Sequence, residues 1–289
     1  MGKPITRSAS TQSVTINAAA KPTPSKIPFL ARKIRKQTPK ITAAAIAVDS
    51  AVDKPKPLSY PGEIATALNH LKSSDPLLAT LIEAHKPPTF ESQAPPFLSL
   101  AKSILHQQLA TGAARTIFGR FLALCGGESN VLPETVLSLT PQQLREIGVS
   151  GMKASYLHDL SEKYANGSLS DSLILAMDDE KLMESLTRVK GIGVWSVHMF
   201  MMFSLHRSDV LPAGDLGVRK GVQALNGLKG LPEGSEMERI CEKWKPYRSV
   251  GSWYMWRLME ASKSVAKKTK SSRSSSSSSS SKKAGTSKK

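Results

Sequence analysis

Along the middle of the chain, apolar residues recur at three- and four-residue steps, the period of an amphipathic helix. No convincing run alternates apolar with polar, as a half-buried strand would. Phe97, Leu98, Ala101, Ile104, Leu105 and Leu109 make one such stripe. Pro95-Pro96 at its start suits a first helical turn, where a missing amide hydrogen costs nothing. Asp75-Pro76 joins an N-cap acceptor to a proline at the first helical position, and Leu77, Leu78, Leu81 and Ile82 follow as an inward face. Thr140-Pro141-Gln142-Gln143 and Ser235-Glu236-Met237-Glu238 have the spacing of a capping box. Gly126-Gly127 and Asn166-Gly167 supply stops, since both pairs tolerate the left-handed residue that ends many helices. The pattern predicts about ten short helices, ample for one all-α domain with its own core.

Charge changes the picture by dividing the chain. Residues 1–58 carry 11 Lys/Arg against Asp49 and Asp53, and residues 263–289 carry 9 with no acid. Residues 59–262 hold 20 Lys/Arg against 21 Asp/Glu, so the net +17 lies in the two ends. Those ends are rich in Ser and Lys, poor in aromatics, and include the unbroken run Ser274–Ser281. They bury too little apolar surface to offset backbone ordering, roughly 1–2 kcal/mol per residue. A folded domain over 59–262 between disordered basic segments at 1–58 and 263–289 is therefore expected. A nearly neutral centre cannot hold nucleic acid by a general field; its grip must come from placed groups.

The basic clusters (Arg32, Lys33, Arg35, Lys36 and the tail lysines) suit nuclear import or a loose DNA tether, and equally a merely solubilising tail. The absence of acid before Asp49 also fits a plastid or mitochondrial transit peptide. No secretory leader is recognisable, and no apolar stretch approaches the ~20 residues of a membrane span. Met1-Gly2 with Thr6 matches a myristoylation pattern only loosely. Two cysteines, Cys125 and Cys241, exclude a Cys-only four-ligand site and argue against a disulfide framework. A reduced intracellular protein, monomeric and away from membranes, is the expectation.

Chemistry concentrates between Leu182 and Trp256. In Leu186 to Trp195 a helix ends, Gly191 and Gly193 flank Ile192, and another helix begins. Uncovered amides at a helix N-terminus favour an anion, and a DNA phosphate is the natural one, although most such glycine pairs are merely turns. Leu211-Pro212-Ala213-Gly214-Asp215 then delivers a carboxylate to the start of a further helix. Asp215 is either a cap alone or a cap whose charge, held by the helix dipole, stabilises a cation forming on a sugar.

These two segments in this order resemble the helix-hairpin-helix DNA glycosylase superfamily with its Gly/Pro-Asp signature. Trp244-Lys245-Pro246-Tyr247-Arg248-Ser249, Trp256, Ile104-Leu105-His106-Gln107-Gln108 and Gly148 to Lys153 resemble its 3-methyladenine DNA glycosylase II branch. The similarity spans about residues 60–262, without the extra N-terminal β-domain of bacterial relatives. It implies a helical fold of two subdomains that flips a damaged nucleotide out of double-stranded DNA and hydrolyses its N-glycosidic bond. On the matching positions Asp215 is catalytic, Gly191, Gly193 and Lys190 belong to the phosphate-binding hairpin, and Gln107 or Gln108 wedges into the duplex gap. No cofactor is required, no metal site is certain, and a monovalent cation at the hairpin–phosphate contact is a further possibility carried by the resemblance.

Strand-cutting members of the superfamily carry a Schiff-base lysine where Trp195 stands, so the resemblance implies a monofunctional enzyme that leaves an abasic site. Trp256 matches a pocket tryptophan, and a cationic methylpurine over Trp faces gains ~0.5–2 kcal/mol. Both tryptophans also read as core aromatics, the favoured reading for Trp244, Tyr247 and Trp253. His106 and His198 read as structural or pocket groups, and Lys153 and Arg248 as phosphate contacts or ion-pair partners. The alternatives are another lesion (uracil, hypoxanthine or etheno-adenine) or a non-catalytic binder of damaged DNA.

Overall fold

The computed structural model describes residues 55–277, with side chains through Ser262. All regular structure among the described residues is helical, and no strand occurs there. The chain opens with α1 (Glu63–Ser74) and α2 (Pro76–Ala84). It continues through α3 (Pro96–His106), α4 (Thr111–Leu124), α5 (Pro133–Ser138), α6 (Pro141–Glu146) and α7 (Gly151–Ala165). Then come α8 (Asp171–Ala176), α9 (Asp179–Thr187) and α10 (Val194–Phe203), and last α11 (Leu216–Asn226), α12 (Gly234–Cys241) and α13 (Arg248–Ser277). The count exceeds the sequence expectation because α5, α6 and α8 are six residues each, too short to show a period.

Two apolar cores divide these helices. One gathers the inward faces of α3 to α10, with Ile104, Phe121, Leu144, Leu157, Leu186 and Phe200 among its buried members. The other joins the two ends of the domain: Leu71 and Leu78 meet Val218 and Val222 of α11 and Trp244, Val250 and Tyr254 further on. Trp256 packs against both, so the seam between the subdomains runs past its ring. The α11–α13 contact is close because Gly221 carries no side chain; an added Cβ would lie 2.5 Å from that of Met255.

Local signals mostly hold. Asp75 caps α2 by accepting the Leu77 and Leu78 amides, the capping box at Thr140 and Gln143 is formed, and α3 starts at Pro96. The second expected box is not: α12 opens behind Glu233 without a side-chain cap, so Ser235 lies inside the first turn, where its hydroxyl cannot cap. Leu109 drops out of the α3 stripe because the helix stops at His106 and Gln108 turns left-handed (φ 55), leaving Leu109 exposed.

Packing already engages the residue just before the expected boundary. Leu58 is buried, and its amide donates to the His206 carbonyl at 2.8 Å, an apolar anchor within a proline-rich stretch. At the other end α13 continues to Ser277, into the expected tail; extending a nucleated helix adds one hydrogen bond per residue fixed. Residues 1–54 and 278–289, with the basic clusters near Arg32 and Lys282, lie outside the described residues.

Candidate active site and nucleic-acid interface

The loop after α10 ends at Asp215, which caps α11: its Oδ1 accepts the Val218 amide at 2.8 Å. Two indoles complete the arrangement. Trp256 Nε1 donates to Oδ1 at 2.9 Å and Trp195 Nε1 donates to Oδ2 at 2.8 Å. Two tryptophans singled out in the sequence, on α10 and α13, thus converge on the carboxylate that caps α11. No ion pair involves Asp215 among the described residues. Its donors are neutral and the helix N-terminus carries only a partial charge, so nothing among the described residues serves the carboxylate as a counter-ion.

The surroundings are aromatic and partly open. Trp195 is 52% exposed, on the first turn of α10. Trp256 lies against Phe203 with ring centroids 5.9 Å apart, and Phe203 stacks in turn on Phe90 at 6.2 Å. Gly217 permits the approach of Trp256, since a Cβ there would come within 2.8 Å of its ring and 3.0 Å of Asp215 Oδ1. Phe203, Met199 and His106 also line a cavity of about 320 Å³. Burial, with Lys102 and Lys153 nearby, lowers the pKa of His106 below the ordinary histidine value. Phe203 carried no sequence signal beyond its hydrophobicity; only the fold brings it to Trp256.

The hairpin lies between α9 and α10. Gly191 adopts φ 77, and an added Cβ would stand 2.1 Å from the Tyr156 ring, so glycine is required there on two counts. Ile192 is buried as an anchor, while Gly191 and Gly193 are exposed. The Ile192 amide donates to the Val189 carbonyl and the Lys190 amide to Asp159 Oδ2. The Gly191 and Gly193 amides have no protein acceptor among the described residues, which leaves them to an incoming anion. Lys190 also pairs its ammonium with Asp159 at 3.4 Å.

Gln107 and Gln108 have separate fates. Gln107 Nε2 donates to the Gly191 carbonyl at 2.8 Å, tying the turn after α3 to the hairpin. Gln108 is exposed and left-handed, with the exposed Leu109 beside it. Lys153 Nζ donates to the Leu105 and Gln107 carbonyls at 2.8 and 2.7 Å, so it fastens this turn rather than presenting a free charge. Arg248 is likewise engaged, forking onto Asp209 at 2.7 and 2.9 Å and reaching Glu238 at 2.7 Å. His198 lines a different cavity, of about 530 Å³, together with Arg248. Trp244 and Tyr247 are core residues, and Trp253 is half-buried.

A helical domain of two cores, with an open hairpin and a capped carboxylate at their seam, has the architecture of a helix-hairpin-helix DNA-repair protein. The chain matches the HhH-GPD superfamily of base excision DNA repair proteins over residues 101–246, and it belongs to that family. It is 29% identical to the alkylbase DNA glycosidase-like protein mag2 of Schizosaccharomyces pombe, over 70% of this chain and 96% of that protein. A crystal structure of a DNA-3-methyladenine glycosidase from Bacillus halodurans superposes with a TM-score of 0.59 at 33% identity, covering 70% of this chain and 90% of that one. A Schizosaccharomyces pombe 3-methyladenine DNA glycosylase in complex with abasic DNA gives 0.58 at 30%, covering 66% and 95%.

Proposed function

We propose that this protein is a monofunctional DNA glycosylase that excises alkylated bases of the 3-methyladenine and 7-methylguanine class from double-stranded DNA, initiating base-excision repair. The observation that carries the reading is the Asp215 carboxylate, held by two indole N–H groups and a helix amide yet paired with no cation among the described residues. As the N-glycosidic bond breaks, positive charge develops on the deoxyribose. A fixed, uncancelled anion beside it stabilises that charge, and removing a group of this kind typically costs about 10²–10³ in rate. One Asp215 oxygen also orients the water that attacks the sugar. The cationic methylpurine is a good leaving group, so no strong general acid is needed, and the Trp195 and Trp256 faces favour its charge by ~0.5–2 kcal/mol.

On the DNA side, the free Gly191 and Gly193 amides take a backbone phosphate, with Lys190 adding charge. Gln108 fills the gap left by the flipped nucleotide, while Gln107 holds the turn that presents it. The oxygens that the hairpin offers a monovalent cation are backbone carbonyls, uncharged donors suited to a weakly held ion. The Lys190 and Ile192 carbonyls, which accept no hydrogen bond among the described residues, would hold it, and it would add positive charge for the phosphate. Trp195 holds Asp215 and provides no amine for a Schiff base, so an abasic site is the product. A monomer acting in the nucleus is the remaining part of the proposal, the location resting on the basic clusters at Arg32–Lys36 and the tail.

The test is base release from methylated duplex DNA by the full chain, with the strands analysed before and after alkali. Release of methylpurines, with breaks appearing only after alkali, is expected. Strand cleavage without alkali overturns the monofunctional reading. DNA binding with no release of methylated bases overturns the alkylbase reading in favour of another lesion or a damage binder.

A further inference from the structure

We infer that Asp159, on α7, is a positioning residue of the DNA grip, setting the shape and charge of the phosphate-binding hairpin from beneath. The inference rests on the hairpin's proposed phosphate contact. Asp159 is buried in the middle of α7 and belongs neither to the hairpin nor to the aromatic site. Its Oδ2 accepts the Lys190 amide at 2.9 Å, across 31 positions of sequence, and the Lys163 ammonium at 3.0 Å. Its Oδ1 lies 3.4 Å from Lys190 Nζ. Burial alone pushes a carboxyl group up, but the Lys190 amide and the two lysines outweigh it, and the Asp159 pKa is lowered.

Three consequences follow from this geometry. First, the Lys190 amide is consumed inside the protein, as is that of Ile192 by Val189, so of the four amides from Lys190 to Gly193 those of Gly191 and Gly193 are left without a protein acceptor among the described residues, alongside the first-turn amides of α10. A phosphate therefore meets two hairpin donors, rather than a loose run of four, beside a helix N-terminus. Second, the Lys190 side chain is 67% exposed yet tethered at its tip, so its charge is held near the hairpin at reduced conformational cost. Third, an anion this close to a phosphate site would repel the ligand were it alone. Lys163 and Lys190 leave the trio with a net single positive charge. Tyr156, one turn earlier on the same helix, is the ring on which Gly191 rests, so α7 supports the hairpin at two successive points.

The experiment compares the full chain with Asp159→Ala and Asp159→Glu on duplex DNA containing a tetrahydrofuran abasic analogue, and on methylated DNA for kinetics. Asp159→Ala is expected to weaken binding about tenfold or more, in line with an oriented charge-assisted contact. The loss should fall on KM, with kcat changing less than KM, and Asp159→Glu should recover part of the affinity. A role in folding alone would lower thermal stability while leaving the affinity of the folded fraction untouched. Affinity and KM within twofold of wild type, or a loss confined to kcat, overturns the inference. If wild type itself binds no DNA, the phosphate reading of the hairpin fails first, and the inference falls with it.

Discussion

Two aspartates in this domain occupy the same kind of place and end up in different electrostatic settings. Asp75 and Asp215 each cap a helix, and each accepts an indole N–H as well: Trp244 for Asp75, Trp195 and Trp256 for Asp215. Asp75 is fully buried, and its second oxygen pairs with the Lys243 ammonium at 3.0 Å. Its charge is neutralised inside the second core, where it ties the start of α2 to the segment before α13. Asp215 stands at the seam between cores, beside a half-exposed tryptophan, and has neutral donors only. The capping motif is thus common to both aspartates, and what separates them is whether the residual charge is cancelled. A fixed carboxylate without a counter-ion is an asset only where a cation must form.

Breaking the buried member of the pair gives the largest effect on folding. Asp75→Ala removes a cap and strands the Trp244 indole N–H in the core, for a combined loss of about 2–4 kcal/mol. Urea denaturation should show that loss, while base release per folded molecule stays within twofold of wild type. A variant as stable as wild type would mean that the Asp75 network is dispensable and that the contrast with Asp215 is misdrawn.

Trimming the donors of the exposed member sharpens the comparison. Trp256→Phe and Trp195→Phe each delete one hydrogen bond to a charged group, worth about 1.5–3 kcal/mol when buried and less at a partly open site. A fall of about tenfold in single-turnover release is expected for each, larger for Trp256, which is the more buried and also packs against Phe203. Single-turnover rates at saturating enzyme are the readout. Equal rates in wild type and both variants would show that the indoles do not tune the carboxylate.

The smallest effect comes from Gly217→Ala. Its methyl would press on Trp256 and on Asp215 Oδ1 without removing either, so a few-fold loss of release with little change in stability is expected. Release at the wild-type rate would mean that Trp256 can shift without consequence.

How much of this was legible in the sequence follows from the range of each interaction. Asp215, its cap, the hairpin glycines and the flanking tryptophans are local features, written in consecutive residues with strong conformational preferences. The long stripes and proline starts of α2 and α3 could be read for the same reason. What escaped depends on distant partners. The end of α3 is fixed by Lys153, 46 and 48 positions away, so the stripe ran one turn too far to Leu109. Asp159 carries no motif, because its meaning lies in an amide on another helix. Lys153 and Arg248 read equally as phosphate contacts or ion-pair partners, because a lone basic residue shows its charge in sequence and hides its partners. Ser235 failed as a cap because Ser, Glu and their spacing recur by chance, and the helix register decides which residue stands at the end.

Whether the uncancelled carboxylate at the seam does the chemistry is decided by base release from methylated duplex DNA with Asp215→Asn beside wild type. Asparagine caps a helix about as well as aspartate, so the fold and DNA affinity should persist. Single-turnover release should fall by about 10²-fold or more. Release within a fewfold of wild type, from a variant that is folded and bound to DNA, would rule out that role for Asp215.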